Sequence, residues 1–132
     1  MTVILRLAIV AALALGIAVP AASGAPAPFR TPSGNIHCYL GNGSGGTVQC
    51  WVMSRACRGE YGTFAYSWAM SGRQRPMRFC PGDLVRGTRV LGYGRSVSVG
   101  QMTCRSQQRG LTCTNRRTGR GFFLSRERQR IF

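Results

Sequence analysis

The sequence predicts an all-β fold: a small disulfide-stapled barrel or sandwich of short antiparallel strands, preceded by a signal peptide. Three observations predict it. Turn-forming residues recur about every 8–12 positions, and no segment before Ser125 keeps a helical apolar period. Six cysteines all fall between Cys38 and Cys113. Only 19 of residues 25–132 are Leu, Ile, Val or Phe, a share that with high net charge would read as disorder without cross-links.

The chain has 132 residues, enough for one small domain. Residues 1–24 read as a secretory signal. Arg6 precedes an apolar run over residues 7–19, Pro20 ends the run, and Ala22 and Gly24 place small side chains before the cleavage point. The run is too short to span a bilayer, which takes about 20 residues, so no transmembrane segment is expected after cleavage. Residues 25–28 form a Pro/Ala linker, and residues 29–132 form a single six-cysteine domain.

Within that domain Thr31-Pro32-Ser33-Gly34 fits a type I turn. Residues 35–40 and 47–53 read as a hairpin around the glycine-rich loop 41–46, and residues 54–62 as irregular. Residues 63–70 are the clearest strand, with Phe64, Tyr66, Trp68 and Met70 on one core-facing side. Residues 77–80 pair back, and Cys80-Pro81-Gly82-Asp83 turns tightly. Residues 88–91, 95–99 and 101–105 are further short strands separated by glycines. The stretch over residues 101–124 organises the whole: three strands in a meander with arginines at its turns. Residues 125–132 read as an exposed basic tail, either a strand or a helical turn capped by Ser125, whose Ile131 and Phe132 pack back.

The cysteine spacings are C-x11-C-x6-C-x22-C-x23-C-x8-C, with no close pair of metal-ligand type and a single histidine, His37. An exported chain meets an oxidising compartment, so three disulfides are expected and no metal or other cofactor. Six cysteines allow 15 connectivities. Cys38–Cys50 and Cys104–Cys113 suit opposed hairpin positions, and Cys57–Cys80 follows by elimination. The loop over residues 41–46 carries no following helix and is no phosphate cradle.

No catalytic residue is assigned. The titratable stock is His37, Glu60, Asp83 and Glu127. General acid–base chemistry needs a positioned pair, and no motif links His37 to Glu60. An exposed strand histidine is the simpler reading of His37, and a turn-forming or arginine-pairing role that of Asp83.

Charge is the strongest functional signal. All 18 basic residues are arginine, against three carboxylates, and the formal net charge is +15, or +14 once Arg6 leaves with the signal. Such a field attracts polyanions: nucleic acid, lipopolysaccharide or acidic envelope polymer. Arg105, Arg109, Arg116, Arg117 and Arg120 gather on the turns of the meander, with Arg126, Arg128 and Arg130 following. Guanidinium forks grip phosphate or carboxylate in pairs of hydrogen bonds. No small-molecule substrate is evident.

The segments at residues 29–38 (F-x-T-P-S-G-N-I-x-C), 80–83 (C-P-G-D), 90–94 (V-L-G-Y-G), 110–115 (G-L-T-C-T-N) and 121–126 (G-F-F-L-S-R) together resemble a family. It comprises small exported six-cysteine bacterial proteins, a domain of unknown function common in actinobacteria. The resemblance covers residues 29–132. It implies a secreted, disulfide-bonded domain and supplies no catalytic residues. Ser71-Gly72-Arg73 bears a fainter likeness to a motif of periplasmic lysozyme inhibitors, but lysozyme is itself basic and would be repelled. The expected function is therefore a non-enzymatic binding or envelope-associated module that contacts anionic surfaces or polymers. A small secreted nuclease-like hydrolase and a protein-interaction or inhibitor module are the alternatives.

Overall fold

In the computed structural model, residue 16 and residues 26–132 are described; the expected signal over residues 1–24 lies, but for residue 16, outside them. Among the described residues there are eleven strands and no helix. Six strands form one sheet, in the order β5-β4-β3-β2-β1-β6. They are β1 (Phe29–Arg30), β2 (Ile36–Gly41), β3 (Thr47–Gly59), β4 (Gly62–Ser71), β5 (Met77–Phe79) and β6 (Arg89–Val90). Five form the other, in the order β11-β10-β9-β8-β7. These are β7 (Ser96–Val99), β8 (Met102–Gln107), β9 (Gly110–Asn115), β10 (Gly121–Leu124) and β11 (Gln129–Ile131). All pairings are antiparallel except β1 with β6, which run parallel.

The two sheets share one core, and the architecture is a sandwich. Alternation decides which residues enter it. Ile36, Cys38 and Leu40 from β2 meet Val48, Cys50 and Val52 from β3 and Trp68 and Met70 from β4, with Tyr66 packed at the margin. The second sheet answers with Met102, Cys104, Leu111, Cys113, Phe122 and Leu124. The disulfides pair as the spacing predicts: Cys38–Cys50, Cys57–Cys80 and Cys104–Cys113. The two hairpin staples face each other across the core, with Cys50 Sγ 3.9 Å from Cys113 Sγ. In a chain with few large apolar side chains, buried sulfur fills the centre.

Two expectations need correction. Residues 54–59 are not irregular but continue β3, whose register against β4 shifts between Val52 and Ala56. Three additional residues, Met53–Arg55, bulge there, so the period-2 pattern that marks a strand is interrupted in the sequence. His37 is not exposed; it is 7% exposed. It stands on the outer face of the first sheet beside Trp51, and the loop over residues 80–88 covers both. Trp51 Nε1 donates to the Asp83 carbonyl (3.0 Å), and Gly87 N–H donates to His37 Nδ1 (2.9 Å). Cys57–Cys80 ties that loop down.

The tail resolves into a turn and a strand. Ser125 Oγ accepts from Arg128 N–H, and Gln129–Ile131 then pairs with Phe122–Leu124. Arg130 therefore stands on the sheet, whereas Arg126 and Arg128 sit on the turn.

Candidate anion-contact surface

Topology divides the eight arginines singled out in the sequence. β9 runs between the two turns of the meander, so Arg109 lies at one end of the second sheet and Arg116, Arg117 and Arg120 at the other. All eight are exposed. They do not form one patch.

The largest grouping is on the outer face of the second sheet. Cross-strand register builds a row there: Arg105 pairs with Thr112, Thr112 with Phe123, and Phe123 with Arg130. Their neighbours Cys104, Cys113 and Phe122 point into the core, so alternation turns this row outward. The Arg109 guanidinium lies 5.2 Å from the Phe123 ring centre, and that of Arg130 lies 5.4 Å from Phe132. A groove of about 470 Å³ runs here, lined by Arg109, Phe123, Ser125, Arg128 and Arg130. No carboxylate lines it.

At the far end of the molecule, Arg73 and Arg75 from the β4–β5 loop join Arg120 around a second groove of about 210 Å³, again without a carboxylate. Sequence reasoning missed Arg73 and Arg75. They are more than forty positions from Arg120, and only the packing of one sheet on the other brings them together. Arg116 is not available in the same way, because its guanidinium donates to the carbonyls of Met102 and Gly100.

Arg126 belongs to neither grouping. It lines a cleft of about 160 Å³ between the sheets, with Thr31, Ser33, Asn35, Tyr93, Arg109 and Glu127 among its neighbours. Asn35 Oδ1 accepts from Ser54 N–H (2.9 Å), while Asn35 Nδ2 is buried without a partner. An orphaned buried donor of this kind costs about 1–3 kcal/mol.

His37 and Glu60, the pair considered for catalysis, are kept apart. His37 accepts at Nδ1 from Gly87 and so donates from Nε2 to the Gly34 carbonyl (3.0 Å), leaving neither nitrogen free. Burial holds His37 below the usual imidazole value, and the Arg86 and Arg30 guanidinium groups add to this, while the Gly34 hydrogen bond opposes it. Glu60 sits exposed at the β3–β4 turn, on the order of 20 Å along the strand from the residue paired with His37. Asp83 is exposed, and its carbonyl is the acceptor for Trp51.

Residues 7–132 match a family of unknown function (DUF6636). The chain belongs to that family. No curated protein and no solved structure matches it. Three disulfides fit an extracellular or periplasmic location, and among the described residues no helix is long and apolar enough to cross a membrane. Four of the five segments that carry the resemblance meet at the cleft, contributing Asn35, Tyr93, Gly110 and Arg126.

Proposed function

We propose that this exported domain is a non-enzymatic module that contacts anionic polymers or surfaces through the outer face of its second sheet. The observation that carries the reading is the groove around Phe123, where Arg109, Arg128 and Arg130 converge with no carboxylate among the lining residues. Three guanidinium groups in a carboxylate-free groove attract an anion and can each grip it with two hydrogen bonds. Phe123 is only 8% exposed and lies under Arg109, so it offers no open ring for a nucleobase to stack on. That favours contact with charged groups along a polymer over reading of bases. The full engagement of His37 supports a role without acid–base chemistry.

The test is retention of the oxidised protein on heparin across a salt gradient, for the Arg109→Gln, Arg128→Gln, Arg130→Gln triple variant and for a control triple at Arg58, Arg89 and Arg95, which are exposed and line neither groove. The groove variant should elute at clearly lower salt than the control, because counterion release scales with the contacts made. Equal losses in the two variants would mean that net charge alone governs retention, and the groove would have no special part.

A further inference from the structure

We infer that the cleft between the sheets is a binding site for one carboxylate-bearing sugar residue of the uronic-acid type. The inference rests on the anionic-polymer reading and names the polymer: an acidic glycan, with one unit seated in the cleft and its neighbours along the groove. Arg109 and Ser125 line both spaces, so the two adjoin.

Size sets the first limit. The cleft holds about 160 Å³, below the roughly 300–1,000 Å³ of cofactor- or drug-sized sites, so the unit seated in it is one small ring. The lining sets the second. Asn35 is 6% exposed; Ser54 N–H holds its Oδ1, which fixes the amide and leaves the NH2 group as a buried donor with no acceptor. Arg126 and the terminal nitrogens of Arg109 add charged donors; Arg109 Nε is already given to Gln107. One carboxylate, Glu127, stands among them. Two guanidinium groups against one carboxylate leave a surplus of a single positive charge. That surplus matches the single charge of a monocarboxylate rather than the two of a dianionic phosphate.

The remaining groups select for hydroxyls. Glu127 accepts hydrogen bonds only; the Thr31 and Ser33 hydroxyls bond each other (3.4 Å) and accept from the Ile36 and Asn35 N–H groups, which leaves the pair one hydroxyl proton to donate. Each sugar hydroxyl needs partners of both kinds. Tyr93, half exposed, lines the cleft and supplies aromatic surface against which the C–H side of a pyranose can pack. Acceptor, donors and platform therefore match a ring with several hydroxyls and one carboxylate.

The experiment is an amide-detected NMR titration of the oxidised protein with glucuronate, with glucose and acetate as controls. Glucuronate should give saturable shifts at the Asn35 side-chain amide and around Tyr93, and bind more tightly than either control. Arg126→Gln should weaken it about tenfold or more, as the loss of a charge-assisted hydrogen bond implies. Asn35→Asp keeps the acceptor for Ser54 and replaces the donor with a like charge, so it should abolish binding. If that variant fails to fold, Arg126→Gln and Tyr93→Ala, both at exposed positions, carry the test. Equal binding of acetate and glucuronate would overturn the sugar assignment. Binding lost in Arg130→Gln but kept in Arg126→Gln would place the ligand in the groove instead. No glucuronate binding alongside strong heparin retention would overturn the cleft and leave the proposed function standing.

Discussion

His37 shows how a residue that looks chemical in a sequence becomes structural in a fold. Nothing near it in the chain signals burial; its partners are Gly34, three residues back, and Gly87, fifty residues on. The second could not be read locally, because the loop over residues 80–88 has no periodicity that says where it lands. The pairing makes a pH prediction. Unfolded, the imidazole titrates near its ordinary value of 6.5; folded, its pKa is lower, so the native state binds fewer protons below that value. Stability contributed by the neutral ring is full above pH 6.5 and is lost as pH falls through the folded pKa. Urea midpoints at pH 7.5 and 5 should therefore differ, and His37→Gln should remove most of the difference, since carboxylates titrate lower, near 4. An unchanged pH slope in the variant would show that His37 does not sense the drop. At neutral pH His37→Ala should cost about 1–3 kcal/mol, because the Gly87 N–H is left buried without an acceptor.

At the scale of elements, the strands were legible where buried residues alternate with more exposed ones, as in β8 and β9. The two hairpin disulfides were legible for the same reason, since opposed strand positions place cysteines close enough to bridge. What escaped was the outer layer. Trp51 points away from the main core and is 1% exposed only because the loop over residues 80–88 lies on it. Gly87 seats the same loop against β1: a Cβ there would overlap the Phe29 carbonyl, so Gly87→Ala should lift the loop. The Cys57–Cys80 bridge closes 23 positions and, by the chain-entropy argument, is worth about 3 kcal/mol. Replacing both cysteines with serine should therefore destabilise the domain by about that amount. It should also expose Trp51 while Trp68 stays in the core, giving a partial red shift of tryptophan emission in the still-folded protein. Unchanged emission would mean that the loop holds its place without the bridge. The same variant should bind heparin as before, because the groove belongs to the other sheet.

For the whole molecule, charge sign and magnitude are plain in the sequence, but their placement is a property of topology. Arg105 and Arg130 reach one face through strand register, Arg109 and Arg128 join them from the adjoining turns, and Arg73 and Arg75 meet Arg120 through the sandwich. Neither relation has a local signal. With 17 arginines and three carboxylates in residues 25–132, most guanidinium groups have no possible acidic partner in the chain. Self-repulsion therefore opposes folding, and salt should relieve it. The Debye length shrinks from about 30 Å at 0.01 M to about 8 Å at 0.15 M, so repulsion between the ends and faces of the domain is largely screened over that range. The melting temperature should rise with salt, by about 4–8 °C for each kcal/mol of repulsion removed. A fall in melting temperature over the same range would mean that attractive pairs outweigh repulsion. Heparin should raise the melting temperature further than sodium chloride at equal ionic strength, since a ligand that binds only the folded state stabilises it by mass action. That surplus should shrink in the Arg109, Arg128, Arg130 triple variant while the response to simple salt persists, which separates occupation of the groove from relief of net charge.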